Sequence, residues 1–272
     1  MKNKLVLVIM DGIGISKEEY GNAVLNAKTP NLDYLFQNYP HTLIHASGEY
    51  VGLLPNDMGN SEVGHNALGS GQIYAQGSKL VNEKIQSGEL FEGKTWKQLV
   101  EYCKKEGRMH LIGLLSDGNV HSNINHLLAL LEYAKKDGVR KVLVHILLDG
   151  RDVSPTSALE YIDILEKKMR ELNDEKFHSM IASGGGRMKI TMDRYEANWQ
   201  MVEKGWHTHV LGDAKHYKSA KAAIIDNRIQ NPSVIDQDLE PFVIVNEHDE
   251  PVGEIKDHDS VIFFNFRGDR AL

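Results

Sequence analysis

Ser61 lies in the run Met58-Gly-Asn-Ser-Glu-Val-Gly-His65, between two glycines. Serine is a favoured helix N-cap, and a helix opening at Glu62 would aim unpaired N–H groups and a positive dipole end at the hydroxyl. A hydroxyl in that field can accept a phosphoryl group once a metal or base takes its proton. The plainer alternative is a capping serine in a Gly-rich loop. The run is not a serine-hydrolase elbow, because Gly59-Asn-Ser-Glu-Val63 lacks the second glycine of G-x-S-x-G. Gly12-x-Gly14 and Gly69-x-Gly71 have no third glycine in register, and no G-x-x-x-x-G-K-[ST] phosphate loop occurs.

Asp11 follows an apolar run and precedes Gly12. That suits a metal-binding carboxylate at a strand end, or an aspartate forming a turn. One carboxylate and one serine do not fill the roughly six oxygen ligands a Mn²⁺ or Mg²⁺ takes. The arginines are more telling. Arg151, Arg187, Arg194, Arg267 and Arg270 all sit in segments bearing Gly or Asp, away from Lys-rich helix surfaces. Guanidinium forks bind phosphate and carboxylate bidentately, so the group suits a small phosphorylated acid, the alternative for each being a surface ion pair. His121 stands out by its loop. His41 and His45 lie in a predicted strand, where that spacing gives no helical ligand pair, and His207, His209 and His216 read as surface or core residues. With one cysteine, Cys103, a structural zinc site is not expected.

The elements that must position these residues follow from periodicity. Residues 5–10 form a continuous apolar run, the mark of a strand buried on both faces. Two weak strand signals follow, at 42–46 and around Val51, within polar, Gly-rich sequence. Beyond about Lys79, helices and strands alternate. A strand at 109–115 runs into Ser116–His121, and a helix at 123–136 places Leu127, Leu130, Leu131 and Ala134 on one face, with Gly138 at its C-cap. A strand at 141–148 runs into Asp149-Gly-Arg-Asp152. Ser154-Pro155 then opens a helix reaching about Leu172. A strand at 178–182 leads into Ser183-Gly-Gly-Gly-Arg187, and further strands are expected at 242–245 and 261–266. Such alternation implies an α/β fold with a mostly parallel sheet, whose ligands bind beyond the carboxyl ends of the strands. His121, Arg151, Asp152 and Arg187 all fall there.

The chain has 272 residues, enough for one large or two ordinary domains. A net charge of −7 excludes neither enzymes nor small anions, but argues against nucleic acid or an anionic membrane as main partner. A lone cysteine fits a reducing compartment. The amino-terminal apolar run is too short for a membrane span and has no cleavage site after it, so a cytoplasmic location is expected.

These motifs together resemble the cofactor-independent (2,3-bisphosphoglycerate-independent) phosphoglycerate mutases over the whole length. The matching segments are 5–14, Gly21-Asn-Ala23, Thr29-Pro-Asn31, 58–65, 116–121, 149–153, 184–194 and 263–270. The resemblance implies the amino-terminal portion of such an enzyme. Residues 1–77 would be the first segment of an alkaline-phosphatase-like metal domain, and 78–272 an inserted α/β phosphotransferase domain that binds substrate. It implies Ser61 as the nucleophile that becomes phosphoserine, and Asp11 and Ser61 as ligands of one of two Mn²⁺ ions, Mg²⁺ being the other candidate. His121, Arg151, Asp152, Arg187, Arg194, Arg267 and Arg270 would hold phosphoglycerate, with Asp152 also moving protons. The reaction implied is interconversion of 3- and 2-phosphoglycerate without 2,3-bisphosphoglycerate, in a family that is usually monomeric.

Two departures qualify it. Arg187-Met-Lys-Ile-Thr-Met-Asp-Arg194 is one residue longer than the common bacterial form and is similar to the plant and trypanosomatid branch, which loosens the role of Arg194. The family's remaining Asp and His ligands and its active-site Lys have no counterpart before Leu272. The chain is therefore expected to be inactive alone, with 1–77 poorly anchored; the alternatives are a non-catalytic phospho-ligand-binding fragment or one half of a split enzyme.

Overall fold

The computed structural model describes residues 4–55, 57, 59–105 and 107–271. Met58, at the head of the Ser61 run, lies outside them. Chain order is α1 (Ala23–Asn26), α2 (Pro30–Asn38), a 3₁₀ turn (Gly48–Val51), α3 (Ser61–Ser70), α4 (Gly77–Gln86), α5 (Glu89–Glu92) and α6 (Lys94–Lys105). Then come β1 (Met109–Leu115), α7 (Ile124–Lys136), β2 (Lys141–Leu148), α8 (Ala158–Leu172) and β3 (His178–Gly186). The remainder is α9 (Trp199–His209), β4 (Lys215–Tyr217), α10 (Ala220–Gln230), β5 (Phe242–Ile244) and β6 (Ser260–Phe263).

Among the described residues the strands form one six-stranded sheet, ordered β4-β5-β3-β2-β1-β6. β6, β1, β2 and β3 run parallel, and β5 is antiparallel to β3. Fully buried apolar side chains on β1 and β2, such as Leu111, Val142 and Val144, meet Leu127 and Leu131 of α7 and Ile162 and Leu165 of α8 in one core cluster. Burying a side chain of that size contributes about 1.5–3 kcal/mol, which is why these helices close on the sheet. Because four parallel strands end on the same side, the segments after β1, β2, β3 and β6 share one rim.

Several expectations need correction. Residues 5–10 form no strand: Leu5 is 94% exposed, and no described strand pairs with the run. A doubly buried strand needs hydrogen-bonded neighbours, and this run is not among the six strands of the described sheet. Residues 41–46, which include His41 and His45, are also not strand, and Val51 ends a 3₁₀ turn. The helix expected from Ser154-Pro155 starts later: residues 154–157 form a turn, with Ser157 N donating to Ser154 O, before α8 opens at Ala158. β3 extends through the glycine run to Gly186, because Gly184 and Gly185 lie against Phe242 and Pro241, where side chains would not fit. β6 stops at Phe263, short of 266, and the three-residue β4 carried no signal.

Residues 48–77 are better anchored than expected. Val51, Leu53 and Val63 form a small buried cluster. Asp57 accepts hydrogen bonds from Ser78 Oγ at 2.8 Å and Asn119 Nδ2 at 2.9 Å, tying this segment to the loop after β1.

Candidate functional site

The loop after β1 is pinned at both ends. Ser122 Oγ donates to Leu114 O at 2.5 Å and Phe266 N donates to His121 O at 2.8 Å, which holds the His121 ring 3% exposed at the rim. Burial, and then the charges of Arg187, Arg267, Arg270 and Arg194, push its pKa down to about 2. His121 is therefore neutral. Its nitrogens stand 4.0 Å from Asp152 and 3.8 Å from Asp269, too far for hydrogen bonds, so neither contact is a salt bridge.

After β2 the chain turns at Gly150, whose φ is +64°; a Cβ there would lie 2.9 Å from both Asp236 Cβ and Pro155 O. That turn lets Asp149 Oδ1 accept from the Arg151 and Asp152 amides at 3.2 and 3.1 Å, while Oδ2 accepts from Ser116 Oγ at 2.6 Å. Arg187, at the end of β3, is 1% exposed and bonds Asp149 Oδ1 at 2.7 Å and Asp152 Oδ2 at 2.5 Å. A fully buried guanidinium is tolerable only with such carboxylate partners. Asp152 keeps Oδ1 without a described partner, so it can still accept a proton or hydroxyl hydrogen bond.

After β6, Arg267 Nε approaches Asp269 at 3.0 Å and Glu62 at 3.4 Å, and Arg194 Nε approaches Asp269 at 3.3 Å. Arg270 donates to Met192 O at 2.8 Å. Burial first, then the nearby charges of Arg187, Arg151 and Arg194, lower the Arg270 pKa. Arg151 itself is exposed at the edge of the group. Among the described residues, the buried polar atoms without a well-aligned hydrogen-bond partner include His121 Nδ1, Arg187 Nε, Arg194 Nε, Arg267 Nε and Asp269 Oδ1. Three of the five, Arg194 Nε, Arg267 Nε and Asp269 Oδ1, belong to ion pairs without hydrogen-bond alignment, so the rim retains hydrogen-bonding capacity for a further polar group.

Ser61 is the first residue of α3 rather than its cap. Asn60 holds the N-cap position, its side chain accepting from Val63 N at 3.1 Å. The Glu62–Arg267 contact brings the start of α3 beside the arginine rim, across a 200 Å³ cleft that Asn60, Glu62, Asn119 and Arg267 help line. A larger cavity of 290 Å³, around Trp96, His126 and Phe264, has no Lys, Arg, Asp or Glu in its lining and adjoins the cleft at Phe266. Asp11 makes no described hydrogen bond or ion pair with the rim residues. It sits in an exposed turn, and among the described residues no three His, Cys, Asp or Glu side chains gather as a metal site. The residues present do not fit a two-metal centre.

Asp149, Asp269 and Glu62, the carboxylates that orient the arginines, were not among the site residues expected from sequence. The Asp-Gly-Arg-Asp and Arg-Gly-Asp-Arg strings held the only signal.

A family model described as BPG-independent PGAM N-terminus (iPGM_N) matches residues 81–272. The chain belongs to this family. It is 51% identical, over 99% of its own length and 50% of the relative's, to a probable 2,3-bisphosphoglycerate-independent phosphoglycerate mutase of Leptospira interrogans serogroup Icterohaemorrhagiae serovar copenhageni. The 2,3-bisphosphoglycerate-independent phosphoglycerate mutase of Trypanosoma brucei brucei is 46% identical, over 100% of this chain and 50% of that one. A crystal structure of Leishmania mexicana phosphoglycerate mutase at low cobalt concentration superposes with a TM-score of 0.92 and 48% identity, over 97% of this chain and 48% of that one. The chain thus spans about half the length of the curated relatives it matches. The family is one of isomerases. No described helix is long and apolar enough to cross a membrane.

Proposed function

We propose that the arginine rim binds a phosphoglycerate, and that in a complete enzyme this chain takes part in interconverting 3- and 2-phosphoglycerate through a phosphoserine at Ser61. The observation that carries the reading is the convergence of Arg187, Arg194, Arg267 and Arg270 around neutral His121, with the Nε groups of Arg187, Arg194 and Arg267 lacking an aligned hydrogen bond. A ligand with both a phosphate and a carboxylate supplies the missing acceptors and relieves the mutual repulsion of the cations. Asp152 accepts a proton from a glycerate hydroxyl through its free oxygen. Neutral His121 offers one ring N–H to the ligand without adding charge. The first turn of α3 sets unpaired N–H groups and a positive dipole end beside the Ser61 hydroxyl, which favours negative charge there. Manganese or magnesium would supply Lewis acidity in such chemistry, with Asp11 and Ser61 the residues of this chain that would hold it, and no step is routed through a metal. Bisphosphoglycerate is not required in this reading. The reading assigns residues 1–77 to the metal domain and 78–272 to the substrate domain, in the cytoplasm.

The absence of any grouped metal-ligand set among the described residues favours a second statement: the 272-residue chain binds the ligand without turning it over. Isothermal calorimetry with 3-phosphoglycerate tests the first claim. Saturable one-to-one binding is expected, weakened about tenfold by Arg151→Ala, the loss of about 1.4 kcal/mol that one exposed charge-assisted contact supports. Absence of binding, or an unaltered Arg151→Ala isotherm, contradicts the site. An assay for 2-phosphoglycerate with Mn²⁺ present tests the second; measurable turnover by mutase-free protein overturns it.

A further inference from the structure

The segment between Arg187 and Arg194 contains an anomaly. Thr191 has φ +66°, the left-handed region that a β-branched residue avoids. Its conformation sets the neighbouring backbone. Thr191 N donates to Met201 O at 3.2 Å, Asp193 N donates to Thr191 O at 2.9 Å, and the adjacent Met192 O receives the Arg270 guanidinium. Its hydroxyl turns inward to His209 Nε2 at 3.1 Å. Helix α9 makes room with Gly205: a Cβ there would sit inside contact distance of Thr191 Oγ1 and 2.9 Å from Thr191 N.

His209 is one link in a buried chain. Its Nδ1 is 2.8 Å from Ser183 Oγ, which is 2.7 Å from His145 Nδ1. His145 Nε2 lies 2.9 Å from His110 Nδ1, and His110 Nε2 lies 3.1 Å from Asp259 Oδ2. His110, His145, Ser183 and His209 are all at most 3% exposed. Asp259 is clamped by Arg108 at 2.7 Å and by the Lys256 amide at 2.9 Å. Burial alone would raise its pKa, yet the hydrogen bonds from Arg108 and Lys256 hold it at about 2, so it only accepts.

One fixed acceptor determines every proton. His110 must donate from Nε2 and so accepts at Nδ1. His145 donates from Nε2 and accepts at Nδ1 from Ser183. Ser183 accepts from His209 Nδ1–H, leaving His209 Nε2 to accept from Thr191. Each group has one partner on each side, with no donor facing a donor. Burial first keeps all three imidazoles neutral by lowering their pKa values, to about 4 for His110 and His209.

We propose that Thr191 is a positioning residue for the arginine rim, held by a one-directional hydrogen-bond wire that crosses the sheet from Thr191 to Asp259. The part that concerns ligand binding rests on the phosphoglycerate reading above; the wire itself does not. Fixing Thr191 aims the Met192 carbonyl at Arg270 and sets where Arg194 leaves the loop.

Two experiments test it. Imidazole ¹⁵N NMR of the intact chain should show His110 and His145 protonated at Nε2 and His209 at Nδ1, all neutral; any other tautomer at any of the three overturns the wire. Calorimetry with 3-phosphoglycerate should show Thr191→Val, which keeps shape and loses the hydroxyl, weakening binding by about fivefold. Thr191→Ser should stay within about twofold of the unaltered chain. Gly205→Ala, which changes no polar group, should weaken binding like Thr191→Val by displacing the same hydroxyl. Equal binding by the folded Thr191→Val and Gly205→Ala variants overturns the positioning role. Failure of the unaltered chain to bind would instead count against the phosphoglycerate reading, while the tautomers still decide the wire.

Discussion

Asp149 shows how much one buried carboxylate organises. It accepts from Arg187, Ser116 and the amides of Arg151 and Asp152, so it fixes both the turn after β2 and the buried guanidinium. Asp149→Asn keeps the shape but removes half of Arg187's compensating charge. A loss of about 3 kcal/mol in urea unfolding is expected, and a change below about 0.5 kcal/mol would show that Asp152 suffices. The arginines were legible in sequence because each follows a strand end, where α/β sheets gather ligands. Their carboxylate partners were not: Asp269 acquires its role only when the segment after β6 lies beside Arg194 and Arg267. Asp11 was given a ligand role by resemblance, and residues 4–21 around it in sequence are exposed.

At the scale of elements, the repeating pattern from β1 to α8 was readable because strand runs and helix faces there meet ordinary neighbours in sequence order. The pattern misled where the neighbour was missing or remote. Residues 5–10 have a buried strand's composition and no partner, so their amides are expected to exchange within seconds at neutral pH, unlike those of β2. Slow exchange across both would contradict the exposed arrangement. The glycines of β3 read as a loop, since their reason, close packing against Phe242 and Pro241, comes from residues some fifty to sixty positions away. Gly150 combines a left-handed backbone with close walls on two sides, so Gly150→Ala should cost about 1–3 kcal/mol and lower the melting temperature. An unchanged melt would mean the turn after β2 has slack.

For the molecule as a whole, buried neutral histidines link stability to pH. Burial first lowers His110, His126 and His209 to about 4 and His121 to about 2. In the unfolded chain each titrates near 6.5, so the unfolded state binds protons first as pH falls. Stability is thus complete above about pH 6.5 and is lost progressively below it, by up to about 1.4 kcal/mol per pH unit for each histidine. Urea midpoints measured from pH 7.5 to 5 should fall steadily; a flat profile would mean the histidines are not buried neutral. Ligand works in the opposite direction. At one hundred times its dissociation constant, a molecule that binds only the folded rim adds about 2.7 kcal/mol.

The proposed phosphoglycerate site lies where the strands β1, β2, β3 and β6 end. Amide and side-chain NMR during titration with 3-phosphoglycerate tests it most directly. Saturable shifts are expected in residues 60–62, 118–123, 149–152, 187–194 and 267–270 and in the His121 ring, with residues 5–10 and the Trp96, Leu99 and Leu130 side of the Trp96 cavity unmoved. Shifts centred on that cavity, or none at millimolar ligand, would contradict it.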